Sequence, residues 1–84
     1  MLDNITFTDT ITIEDYNDLR ASVDFITIRP DQAETALKNS LYLLVARDND
    51  RPVGMARVVG DGGYVYFICD VIVRPDYQSR GLGR

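Results

Sequence analysis

The chain has 84 residues, 45% of them hydrophobic and 26% charged. That is the make-up of one small folded domain, not of a disordered tail, a collagen-like fibre or a membrane-spanning bundle. Nine Lys and Arg stand against 13 Asp and Glu, a formal net charge of −4, and no basic stripe is present to meet a phosphate backbone. Nucleic acid is therefore not an expected partner. Histidine is absent and Cys69 is the single thiol. This excludes an internal disulfide and Ser-His-Asp or Cys-His catalysis within the chain, and it argues against a metal site. Met1 to Thr12 lacks the basic-then-apolar layout of a secretory leader, so the expected setting is the reducing cytoplasm, away from membranes.

Taken in order, Ile5-Thr6-Phe7-Thr8 alternates apolar and polar residues and reads as a strand, which Ile11-Thr12-Ile13 could extend. Thr12 and Asp15 have the spacing of a partial capping box. Tyr16, Leu19 and Val23 then fall on one face of a helix. Pro30 can open a second helix, with Ala33, Ala36 and Leu37 as its apolar stripe and Asn39-Ser40 as its end. Leu41 to Ala46 is nearly all apolar, the pattern of a strand buried on both faces.

Asp48 to Pro52 is a polar turn before a strand from Val53 to Val59, whose Val53, Met55, Arg57 and Val59 share one face. Gly60-Asp61-Gly62-Gly63 marks another turn, and Tyr64 to Val73 is a third, long strand. Such short connections imply an antiparallel meander. The fold class expected is α+β: a strand and two helices, then three meandering strands.

The last stretch carries the chemistry. A β-branched strand, Val71-Ile72-Val73, runs into Arg74-Pro75, and a polar turn leads to Gln78-Ser79-Arg80-Gly81-Leu82-Gly83-Arg84. Glycines let a backbone approach a ligand closely, and successive N–H groups in such a loop form a concave nest for phosphate oxygens. Arg80 and Arg84 add positive charge, and Gln78 adds a side-chain donor. A plain strand-to-helix turn would also use Gly-x-Gly for its shape. The loop lacks the Gly-Lys-Ser/Thr of a Walker loop, and no acidic residue follows at the distance a dinucleotide fold requires.

The longer string, Val-x-Val, four residues, then Gln-x-x-Gly-x-Gly, resembles motif A of the GNAT superfamily of N-acetyltransferases. The order of elements upstream agrees with it over residues 1–84. The resemblance implies acetyl-CoA as cosubstrate and a small-molecule amine as acceptor. It implies that the backbone of Val71, Ile72 and Val73 meets the pantetheine arm. It implies that Gln78, Ser79, Arg80, Gly81, Leu82, Gly83 and Arg84 surround the pyrophosphate. It also places a bulge near Cys69-Asp70.

Where relatives often carry Glu or His before Val-x-Val, this chain has Phe67 and Cys69. Asp70 is then the nearest candidate for a catalytic carboxylate, and a structural hydrogen-bonding part for it stays open. Tyr64 and Tyr66 could line an amine pocket or pack in the core. Cys69 has no basic neighbour in sequence to lower its pKa, so it reads as a small buried hydrophobe. The family continues beyond the pyrophosphate loop, so this chain is expected to be the N-terminal half of such a domain, inactive alone. Its open sheet is expected to pair with a second copy or a complementing chain. A CoA-binding or protein-interaction module without catalysis is the alternative.

Overall fold

A computed structural model describes residues 4–78, and Ser79 to Arg84 of the glycine loop lie outside the described residues. The elements follow the order β1 (Ile5–Thr8), α1 (Ile13–Ser22), α2 (Pro30–Lys38), β2 (Tyr42–Asp48), β3 (Arg51–Gly60), β4 (Tyr66–Val73) and α3 (Pro75–Gln78). The four strands form one antiparallel sheet in the order β1-β2-β3-β4, so β4 is an edge strand among the described residues. The α+β class and the meander expected from the sequence are both present.

Local chemistry accounts for most boundaries. Thr12 does not extend β1. It caps α1, its Oγ1 accepting the Asp15 amide at 3.1 Å, and Glu14 and Asp15 lie at the positive end of the helix dipole. Ile11 and Ile13 flank that cap and pack against the core. After α1 the chain turns through Asp24 at φ 62°, a left-handed position that Asp tolerates better than most residues. Pro30 opens α2, where its missing N–H costs nothing.

Asn49 and Asp50 both take positive φ, 50° and 75°, which is what a two-residue hairpin between twisted strands demands. At the other hairpin a Cβ on Gly60 would collide with the Val65 carbonyl oxygen. There Asp61 Oδ1 accepts the amides of Gly63, Tyr64 and Val65 and holds the loop.

One sheet face is covered by the two helices. Tyr16, Leu19, Ala33, Met55 and Ile72 form its buried core, with Val23, Leu37 and Leu43 packed around them. The helix face read from Tyr16, Leu19 and Val23 is thus the face that packs. Burying side chains the size of Leu19, Met55 and Ile72 stabilises the fold by about 1.5–3 kcal/mol each. A second, smaller cluster of Ala46, Val53 and Tyr77 holds the start of α3 against the sheet. The expectation of a β2 buried on both faces is corrected here. Tyr42 and Leu44 are exposed, because both helices lie on the opposite side of the sheet. The unbroken apolar run shows the affinity of both faces for cover but not which face the described elements occupy.

Candidate functional site around the bulge of β4

The end of β4 is where the sheet loses its regularity. Met55 pairs with Ile72 and Arg57 pairs with Cys69, so the single residue Ala56 faces two residues, Asp70 and Val71. This is a β-bulge, and Asp70 carries it at φ 52°. The bulge falls where the motif resemblance placed it. A non-glycine residue in this region stores strain and persists only where its surroundings hold it.

The surroundings do so with three donors. Tyr16 donates its hydroxyl to Asp70 Oδ2 at 2.6 Å, Arg57 Nε donates to the same oxygen at 2.8 Å, and Arg20 Nη1 donates to Oδ1 at 2.7 Å. The Asp70 side chain is only 9% exposed. Burial by itself would raise its carboxyl pKa. The hydrogen bonds from Tyr16 and Arg57 and the charges of Arg57 and Arg20 outweigh that, and the pKa lies below the ordinary carboxylate value. Burial, with the hydrogen bond to Asp70 next, pushes the Tyr16 phenol up. Burial opposes the Arg57 charge, but the hydrogen bond and charge of Asp70 more than restore it, so its pKa is raised.

The same arginines reach further. Arg20 Nε donates to the Ile26 carbonyl at 2.6 Å, and its guanidinium lies over the rings of Tyr16 and Phe25 at 5.7 and 5.4 Å. Arg57 donates to the Ala36 carbonyl and to Ser40 Oγ at the end of α2. Asp70 therefore ties together α1, the loop after it, the end of α2, and both β3 and β4.

Beyond the bulge the strand is regular and its outer edge is free of a neighbouring strand among the described residues. The Arg74 amide donates inward to the Val53 carbonyl at 2.9 Å. The Val73 carbonyl points to the outer edge, where Gln78 Nε2 meets it at 2.9 Å. Period-two alternation puts the main-chain groups of Val71 on that same edge. The end of the strand is anchored by Arg74. It is buried, donates to the Pro52 carbonyl at 2.8 Å and pairs with Asp18 at 2.6 Å. Tyr77 donates its hydroxyl to Asp48 in a short hydrogen bond. Pro75 opens α3, so the polar turn read there is a single helical turn.

The structure thus brings Asp70, Val71, Ile72, Val73 and Gln78 together along one strand end. Gln78 spends a side-chain donor on Val73. Ser79, Arg80, Gly81, Leu82, Gly83 and Arg84 lie outside the described residues. Tyr64 and Tyr66 are exposed at the far hairpin, and Cys69 is half-buried. Sequence reading missed Tyr16, Arg20 and Arg57 as partners of Asp70, because they lie 54, 50 and 13 positions away. Among the described residues no group of three or more His, Cys, Asp or Glu could hold a metal ion, and no helix is long and apolar enough to cross a membrane.

An antiparallel sheet under two helices, a bulged fourth strand and a Val-x-Val edge with no neighbouring strand among the described residues agree with the acyltransferase fold that the motif implies. The model of the acetyltransferase (GNAT) family matches residues 6–84, and the chain belongs to that family. It is 35% identical over 79 residues to GCN5-related N-acetyltransferase 1, chloroplastic, of Arabidopsis thaliana, covering 92% of this chain and 40% of that protein. It is also 35% identical over 78 residues to the uncharacterized N-acetyltransferase ycf52 of Pyropia yezoensis, covering 88% of this chain and 45% of the other. A solved protein of unknown function from methicillin-resistant Staphylococcus aureus, described as a probable acetyltransferase, superposes with a TM-score of 0.87 at 38% identity. That match covers 94% of this chain and 60% of the bacterial one. The chain spans less than half the length of these two curated relatives.

Proposed function

We propose that this chain supplies the acetyl-CoA side of an N-acetyltransferase acting on a small-molecule amine. The observation that carries the reading is the bulge at Asp70 followed directly by a strand edge, Val71 to Val73, that pairs with no other strand among the described residues. An extended pantetheine arm has amide donors and acceptors along its length, so it can pair with such an edge as an added strand does. The residues fit the group: no strand pairs with this edge among the described residues, and the main-chain groups of Val71 face outward, beside the Val73 carbonyl that Gln78 meets. The glycine loop from Gln78 to Arg84 would hold the diphosphate with backbone amides.

The chemistry asked of this end is modest. A neutral amine nitrogen attacks the thioester carbonyl carbon, the C–N bond forms and the C–S bond breaks. The nitrogen gives up one proton and the departing thiolate takes one up, so the step is proton-neutral. The chain's part is to align the thioester and to aim strand N–H groups at the developing oxyanion. Direct attack needs no covalent intermediate on the protein. Asp70, the sequence candidate for the proton acceptor, is a weak base in this setting. Its carboxylate already accepts three hydrogen bonds and favours the ionised form. In this reading the remainder of an acetyltransferase domain lies in the part of the relatives that this chain does not span.

Calorimetry of the intact protein with CoA tests the reading. Saturable binding is expected, weakened about tenfold or more, ~1.4 kcal/mol, by Gly81→Val with Gly83→Val. No binding by the wild-type protein sinks it. Binding without release of free thiol from acetyl-CoA across a panel of amines, assayed in a version extended past Arg84 to the length of the relatives, would instead make the protein a CoA-binding module.

A further inference from the structure

The mechanism above leaves the densest polar cluster of the molecule without a part. Burying a carboxylate with two arginines is costly unless the charges are paired and hydrogen-bonded, and here no buried side-chain nitrogen or oxygen among the described residues lacks a partner. The cluster sits on the one residue of β4 with positive φ. Its donors come from α1 and β3, and Arg20 also grips the loop at Ile26. Nothing about the sheet requires this. A regular β4 would pair with β3 in unbroken register, whereas here Ala56 faces both Asp70 and Val71.

We propose that Asp70 is a positioning residue. Held by Tyr16, Arg20 and Arg57, it fixes the bulge, and so the angle at which the Val71–Val73 edge leaves β3, and it locks that edge to α1 and to the Phe25-Ile26 loop. The inference rests on the acetyltransferase reading and deepens it. The backbone that would meet the thioester is set by a side-chain tie to the helical layer, so a shift of α1 moves the acyl-bearing edge. Bulges re-aim strands beside active sites in this way. Transfer is sensitive to small misplacements of the reacting carbonyl. CoA affinity is expected to rest mainly on the glycine loop.

The test uses the protein extended past Arg84 to the length of its relatives, the form in which turnover is expected, with Asp70→Gly, Asp70→Asn and Tyr16→Phe. Gly keeps the left-handed backbone and removes the tie, and Asn keeps that backbone and the shape without the charge. Tyr16→Phe removes one donor of three, so it reports the same effect in smaller measure where Asp70→Gly fails to fold. We expect the CoA dissociation constant to change by less than about threefold and kcat to fall by about tenfold or more in Asp70→Gly. We expect amide exchange at Val71–Val73 and at the end of α1 to rise together in the unliganded protein.

The pH–rate profile of Asp70→Asn should be lower but keep the wild-type shape. The groups facing this carboxylate are Tyr16 and Arg20 from α1, Arg57 from β3 and Cys69 beside it on β4. Unchanged kcat in Asp70→Gly and Tyr16→Phe, or exchange that rises in β4 alone, overturns the proposal. So does loss of the acidic limb in Asp70→Asn, which would make Asp70 the proton acceptor. Failure of the wild-type protein to bind CoA overturns the acetyltransferase reading as well. Failure of the variants alone overturns only the positioning part.

Discussion

The two faces of the sheet come from the same strands and end in different states. On the helical face Met55 and Ile72 meet Tyr16, Leu19 and Ala33, and the polar residues there are satisfied by one another around Asp70. On the opposite face Phe7, Leu44 and Val71 are 59%, 52% and 59% exposed, around a cavity of about 210 Å³ that is lined almost entirely by apolar atoms. Period-two alternation delivered apolar residues to both sides, while α1 and α2 cover one. The difference teaches that apolar character in a strand specifies that a face can be buried, and packing specifies which face is. It also separates tasks. The covered face holds the geometry of β4 from beneath, while the outer edge of β4 has no neighbouring strand among the described residues.

Matched substitutions break or sharpen this contrast. Leu19→Ala on the covered face removes a side chain with no exposure and should cost about 2–5 kcal/mol, read from urea unfolding. A loss below about 1 kcal/mol would show that α1 is only loosely seated.

Acid comes next. The carboxyl pKa of Asp70 is lowered in the folded protein, so its stabilisation is present above the unfolded carboxylate pKa, about 3.9. It is lost as pH falls from there through the lower folded value. Asp70→Asn should be less stable than wild type at neutral pH, and the gap should narrow below about pH 4 in paired thermal melts. A gap that stays constant with pH would mean that the charge of Asp70 contributes nothing to holding the bulge.

The smallest effect is expected on the open face, where Leu44→Ala should change stability by no more than about 0.5 kcal/mol. A loss close to that of Leu19→Ala would show that this face is covered in solution.

Much of the helical layer was legible locally. Thr12 capping Asp15, the Tyr16-Leu19-Val23 face and Pro30 opening α2 each depend on neighbours within a turn or two, and the structure has each of them. The turn between Asp48 and Pro52 was legible from its run of polar residues, and the structure adds that Asn49 and Asp50 take positive φ there. The site divided differently. The Val71-Ile72-Val73 strand and the place of the bulge came from the motif. The fate of Asp70 did not, since a carboxylate beside a strand reads the same whether it takes a proton or is held by two arginines.

By itself, then, the sequence determined the order and kind of the elements, the meander and the family motif. These follow from periodicity, capping and turn chemistry acting over a few residues. Tertiary structure alone decided that Tyr16, Arg20 and Arg57 converge on Asp70, and that Tyr42 and Leu44 of β2 stand exposed among the described residues while Ala46 is buried. Both depend on where helices dock on a sheet, which is set by burial and charge pairing between residues far apart in the chain.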